Sequence, residues 1–275
     1  MQHEAIDGIV VRVRDMADHD RYLSVLTAEK GRISILAKGS RSLRGPQMAV
    51  SQLYTYGNFE YYRKGDFCIL KGGSPLQPFY ALSMDIDRLN LAAYFCDVIC
   101  EVTDEGEEAG DMLRLLLNAL YAVSRDLYPQ EIIKGAFEMR VATMAGYAPE
   151  LHTCAKCGIE PSGDSFLDVM NGALLCPECL HRQAPRERQA PVYDDLREAE
   201  VICPISASTL AAIRYCVSAP IERIFSFRIQ DSEDLCGFSK AAQTYLLSHL
   251  GRGFDSLNFY HTMRQPEGSA KGTTL

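Results

Sequence analysis

The first eighty residues alternate apolar and polar positions with a period of two. Ile9, Val11 and Val13 interleave with Val10, Arg12 and Arg14, so one face of this strand is apolar and the other partly basic. Asp18-His19-Asp20 turns into a second strand from Tyr22 to Thr27, and Glu29-Lys30-Gly31 into a third from Ile33 to Ala37. Residues 38–46 contain two glycines, two serines and a proline and read as a loop. Strand character returns from Gln52 to Tyr62 and, after a turn at Arg63 to Asp66, from Phe67 to Leu70. Five short strands with no helix-length stretch between them predict a small closed barrel, with an SH3-like barrel as the competing form.

From Pro78 the period becomes helical. Ser83 is the expected cap of a helix through Leu89, Ala92, Phe95, Cys96, Ile99 and Cys100. Residues 101–111 carry six acids and no base, which predicts a solvated helix end and connector. A second helix is expected over Met112 to Val123, and a third from Pro129 to Gly146. Farther on, Arg182 to Pro191 reads as a linker. Ser206 or Ser208 opens a helix that stops before Pro220, and Asp231 or Ser232 opens another that ends at Gly251. The tail after Arg264 has a disordered composition. Helices on both sides of residues 151–182 are expected to pack as one bundle.

Between them lies the strongest chemical signal in the chain. Cys154-x-x-Cys157 and Cys176-x-x-Cys179 are separated by eighteen residues. Each pair forms a tight knuckle that aims two thiolates inward, and two knuckles close a tetrahedral site. Gly158 suits the positive backbone angle such a knuckle needs. Asn171-Gly172, between Ser165 to Met170 and Ala173 to Leu175, predicts a short hairpin turn, so the segment reads as a zinc ribbon. Four thiolates leave no open coordination position, which points to one structural Zn2+ rather than catalytic zinc or a redox dithiol. His152 and His181 read as surface residues, with alternative ligation as the competing role. The other cysteines (68, 96, 100, 203, 216 and 236) stand singly in apolar contexts and are expected to be buried free thiols.

Neither a phosphate-binding glycine loop nor a nucleophile elbow occurs, and no histidine pairs with a carboxylate at catalytic spacing. No catalytic residue is nominated and an enzyme is not expected. The N-terminus lacks a basic flank and an apolar signal core, and no apolar run approaches the roughly 18 residues that span a bilayer. A cytoplasmic protein without a membrane role follows as the expectation. The net charge of −8 hides an asymmetry, for residues 1–71 carry +3 and the remainder −11. Lys30, Arg32, Lys38, Arg41 and Arg44 fall in a stretch without an acid, which is either a solvated basic loop or a surface for a polyanion. The aromatic hairpin holding Tyr54, Tyr56, Phe59, Tyr61, Tyr62 and Phe67 packs the core or stacks bases; packing is the commoner use.

Ile33-Ser-Ile-Leu-Ala-Lys-Gly-Ser-Arg-Ser-Leu-Arg-Gly-Pro46, the following Ser51-Gln-Leu53 and aromatic hairpin, and the four cysteines together resemble the bacterial recombination-repair mediator family RecO. The likeness covers residues 5–260. It implies an OB-fold barrel at 1–80 and a helical domain at 81–150 and 183–263. A four-cysteine zinc ribbon at 151–182 interrupts that domain, and a disordered tail follows at 264–275. The resemblance further implies binding of single- and double-stranded DNA, annealing of complementary strands and help in loading RecA. The implied partners are RecR and the C-terminal tail of single-stranded DNA-binding protein, and the implied location is the nucleoid. Lys38 and Arg41 match the family's basic loop; Arg44 follows, then Arg12, Arg14 and Arg32 on charge alone. The alternative is a zinc-ribbon protein–protein adaptor whose barrel binds a peptide.

Overall fold

The computed structural model describes residues 3–16, 19–42, 47–65, 67–182 and 201–264. Five strands, β1 (His3–Asp15), β2 (Arg21–Thr27), β3 (Arg32–Ala37), β4 (Thr55–Lys64) and β5 (Phe67–Pro78), close a barrel in the order β1-β2-β3-β5-β4. β3 and β5 are parallel and β4 returns antiparallel to β1, the OB-fold arrangement rather than the SH3-like one. The period-two pattern supplies the core: Val10, Leu23, Val25, Ile33, Ile35, Phe59, Tyr61 and Leu70 point inward. Fully burying one such side chain is worth about 1.5–3 kcal/mol. The register slips after Val10 on β1 and between Tyr56 and Gly57 on β4. β4 starts at Thr55, and β5 runs eight residues beyond the expected Leu70 to Pro78, along the whole of β4.

Two compact units divide the chain: one holds the barrel with residues up to 127 and from 254, the other residues 128–253. The expected single bundle is therefore split. In the first unit lie α1 (Ile86–Val102), α2 (Gly110–Arg125) and α7 (Asp255–Arg264), with α7 packed on α1. Asp85, not Ser83, caps α1, accepting from the backbone N–H groups of Asp87 and Arg88. Ser83 sits in a preceding 3-10 turn and bonds the Tyr80 carbonyl.

The acidic connector between α1 and α2 is tied to the barrel by its backbone while its carboxylates stay exposed. Arg32 N donates to Asp104 O at 3.1 Å, Gly106 N to Lys30 O at 2.9 Å and Ala109 N to Ala28 O at 2.8 Å. Main-chain pairing has no side-chain signature, so the acidic composition disguised it. Gly31 makes the approach possible: its φ is +58°, and a Cβ there would lie 2.0 Å from Asp104 O. Gly31→Ala is expected to cost roughly 2–4 kcal/mol, a left-handed penalty plus overpacking, measurable by urea unfolding.

In the second unit α3 (Gln130–Met144), α5 (Ala207–Ser218) and α6 (Ser232–Leu250) pack together. Ser206 caps α5 and Asp231 caps α6, which ends at left-handed Gly251. A four-stranded sheet completes the unit, built from β6 (Glu150–Cys154), β7 (Ser165–Asp168), β8 (Ala173–Leu175) and β9 (Ile202–Ile205) in the order β6-β8-β7-β9. α4 (Pro177–Arg182) follows β8. The β7–β8 connection spans residues 169–172 rather than Asn171-Gly172 alone, because Asp168 already pairs with Ala173. Asp168 Oδ1 and Oδ2 accept from the backbone and side-chain amides of Asn171, which ends β7 there. Most of the expected linker and the tail beyond Arg264 lie outside the described residues.

Candidate metal centre and nucleic-acid interface

The four cysteines converge because each knuckle grows out of a strand of the small sheet. β6 delivers Cys154 at its last position, and β8 ends one residue before Cys176; α4 then turns Cys179 back. Ala155 N donates to Leu174 O at 2.8 Å and locks the two strand ends together. Gly158, at φ +71°, closes the first knuckle with its N–H on Cys154 O at 2.8 Å, as its position after Cys157 predicted. All four sulfurs lie within 4.8 Å of one another, and Cys157 Sγ is 3.9 Å from Cys176 Sγ. A tetrahedron with metal–sulfur bonds of about 2.3 Å has sulfurs about 3.8 Å apart, so this donor set fits a single ion.

The electrostatics suit a thiolate site. Burial raises the Cys154 thiol, but backbone N–H donors, led by that of Cys176 at 3.4 Å, bring it down to about 6. Cys179 is pushed up to about 12, first by its contact with the Cys176 sulfur and then by burial. One thiolate therefore forms readily, and further ionisation needs a compensating cation. His152 and His181 are exposed and stand outside the cluster. Three of the other cysteines, Cys68, Cys96 and Cys216, are buried, and Cys100 and Cys203 half-buried. Cys236, expected inside, is exposed because it lies off the α6 stripe of Phe238, Ala242, Tyr245 and Leu246.

α6 also carries a histidine next to the sheet. His249 stacks on Tyr147 with centroids 4.7 Å apart and meets Tyr245 edge-on at 4.5 Å. Burial, against a backbone contact from Val169, holds it below its ordinary value of 6.5. The unfolded chain then binds the extra proton more readily, so this contribution to stability is present above about pH 6.5 and is lost as pH falls below it. His249→Gln is expected to flatten the pH dependence of the melting temperature between pH 5 and 7, as differential scanning fluorimetry would show.

The five nominated cations that lie among the described residues do not form one patch. Arg12 and Arg32 are committed to α1. Arg12 Nη2 pairs with Asp97 Oδ1 at 3.1 Å, and Arg32 Nε donates to Thr103 O at 3.3 Å. Arg14 and Lys38 are exposed and carry no ion pair among the described residues. Arg41, also exposed, reaches Met16 O at 3.3 Å and Asp15 Oδ2 at 3.6 Å. Arg14 and Lys38 face outward from the barrel, flanking the Tyr22–Leu36 pair of β2 and β3. Arg44 lies outside the described residues. Sequence reasoning passed over Lys64, at the end of β4, and Lys71, within β5, exposed cations without ion pairs among the described residues. The aromatic hairpin divides by parity: Phe59 and Tyr61 are core, whereas Phe67 is 56% exposed. No helix among the described residues is long and apolar enough to cross a membrane.

Comparison with known proteins agrees with this architecture. Residues 1–79 match the model of the recombination protein O N-terminal domain, and residues 83–258 that of the recombination protein O C-terminal domain. The DNA repair protein RecO of Acetivibrio thermocellus is 28% identical over 264 residues, covering 96% of this chain and 98% of its own. That of Symbiobacterium thermophilum is 26% identical over 264 residues, covering 94% and 97% respectively. With an OB barrel, a helical domain and a four-cysteine centre in the family's order, and both halves matched, the chain belongs to the RecO family.

Proposed function

We propose that this protein is a DNA repair and homologous-recombination mediator. It binds single- and double-stranded DNA, anneals complementary strands and helps load RecA onto strands coated with single-stranded DNA-binding protein. The observation that carries the reading is the exposed basic border of the OB barrel at Arg14, Lys38 and Arg41; among the described residues Arg14 and Lys38 carry no ion pair and Arg41 only a long one. Such side chains hold phosphates without regard to sequence, so affinity falls steeply with salt. The names of the relatives support the repair assignment. RecR and the C-terminal tail of single-stranded DNA-binding protein are the proposed protein partners, and the nucleoid the proposed location. No turnover is assigned, because none of the described clusters sets a nucleophile beside a base.

Cys154, Cys157, Cys176 and Cys179 would hold one Zn2+, which supplies rigidity to the knuckles and no reaction step. The test is fluorescence anisotropy of labelled oligothymidylate against salt, with annealing of complementary oligonucleotides scored in parallel. Binding that weakens log-linearly with salt, together with faster annealing than in buffer, supports the mediator. Absence of binding at low salt overturns it and favours a peptide-binding adaptor.

A further inference from the structure

The four sulfurs of the metal centre are not equally protected. Cys154 and Cys176 are buried and Cys179 is half-buried, but Cys157 is exposed. Main-chain bonds rather than packed side chains shape the turn that carries it. Gly158 N donates to Cys154 O at 2.8 Å and Cys154 N to Ile159 O at 2.9 Å, while every residue from Ala155 to Glu160 is exposed. A cavity of about 570 Å³ opens beside this turn, and Cys157, Cys176 and Cys179 line it. Cys154 is not part of its wall. The charged groups in the lining are mainly acidic, with Glu160, Asp164 and Glu178 against Arg182. Arg214 anchors the loop by pairing with Glu160 at 3.1 Å. A small neutral molecule reaches the sulfurs through such a mouth, whereas a bulky anion is repelled.

We propose that Cys157 is a site of oxidative modification by small neutral hydroperoxides, and that Cys176 resolves the oxidised sulfur with release of the bound Zn2+. The proposal rests on the structural-zinc reading above and adds a chemistry for the sulfurs that hold the ion. With hydrogen peroxide, the Cys157 thiolate attacks the O–O bond and keeps one oxygen as a sulfenic acid, and hydroxide leaves. Cys176 Sγ, 3.9 Å away, then attacks the sulfenic sulfur. The S–S bond forms, the S–O bond breaks and a second hydroxide leaves; two protons from solvent turn both hydroxides into water. The two sulfurs together give up two electrons, and the peroxide takes them. Loss of two of the four ligands opens the tetrahedron, and the remaining two thiolates do not retain the ion. The new disulfide spans the ends of β6 and β8 that the metal joined, so reduction and added zinc restore the centre. Cys236, the other exposed cysteine, stands on α6 outside the cluster and serves as an internal reference thiol.

The test treats the zinc-loaded full chain with hydrogen peroxide and follows released metal with a chromogenic chelator. Loss of about one Zn2+ per chain is expected, with about two thiols disappearing at the metal centre. Cleavage at Lys156, Asp168 and Glu178 puts each of the four cysteines on its own peptide, so mass mapping should find Cys157 joined to Cys176. Brief treatment in the presence of a sulfenate-trapping dione should label Cys157 and spare Cys154. Cys236→Ser should release zinc as the wild type does, and dithiothreitol with added zinc should return both the metal and the melting transition. Zinc that stays bound while peroxide oxidises Cys236 in the same chain overturns the proposal and leaves the structural-zinc reading intact. A dione label that falls first on Cys154 or Cys179 overturns the assignment of Cys157. Zinc release by glutathione disulfide, a bulky anion, at the rate seen with peroxide overturns the hydroperoxide class. A chain that carries no zinc when isolated removes the structural-zinc reading, and the proposal with it.

Discussion

Cys154→Ser is expected to remove the bound metal and collapse the sheet of β6–β9, leaving the protein poorly soluble and without a full melting transition. The reason is the construction of the site. β6 and β8 are three to five residues long, and their ends are held together by the cysteines and a few main-chain bonds. Strands this short do not hold on their own in water. The local apolar cluster is small, consisting of Leu175, Phe166, Leu180 and Ile202 beside three of the cysteines. Structural zinc contributes about 10–16 kcal/mol of apparent binding energy in small metal-dependent folds, comparable with the whole stability of a domain. Metal analysis of the wild type should return one zinc per chain, and a strong chelator should reproduce the effect of the substitution. A variant and a chelated wild type that both keep the full transition would remove the structural role of the metal. The helices α3, α5 and α6 have their own core around Phe137, Ile213 and Phe238, so residual helicity after metal loss is compatible with the expectation.

The charge reversal Lys38→Glu/Arg41→Glu is expected to weaken single-stranded DNA binding by one to two orders of magnitude at moderate salt. Each phosphate contact adds about 0.7 to the salt slope for a single strand, so loss of two should lower the slope by about 1.4. The fold should survive, since Lys38 is exposed and unpaired among the described residues and Arg41 makes only long, exposed contacts. Exposed ion pairs of that kind are worth little. The same reversal at Arg12 is expected to act differently, because its guanidinium pairs with Asp97 and a glutamate there would repel α1. An Arg12→Glu variant should lose stability before affinity. Equal DNA binding by wild type and the Lys38/Arg41 variant, read as anisotropy across a salt series, would leave DNA as the ligand and refute this face.

The contrast between Arg12 and Arg14 shows where sequence reading ran out. Both lie on the outward side of one strand and both looked equally available, yet one is spoken for by a carboxylate 85 positions away. Charge counts along a chain cannot register such a partner. Phe59 and Phe67 divide in the same way: the aromatic cluster was visible as composition, while its division between core and surface follows from strand parity and barrel closure. Ser83 and Asp85 were both chemically able to cap α1, and tertiary packing placed the helix start at the second.

What the sequence determined by itself was local: the period-two strands of the barrel, the helical segments, most of their caps, and the metal site. Two CxxC knuckles constrain their own geometry whatever surrounds them, and alternation within a strand requires only one buried face. The tertiary structure alone decided the pairings between distant segments. These are the main-chain docking of the acidic connector on the β2–β3 turn, the addition of β9 to β7, the packing of α7 on α1, and the division of the basic residues between helix anchoring and open surface. Backbone hydrogen bonds and long-range contacts depend on which surfaces meet when the chain closes, and no spacing of residue types encodes that meeting.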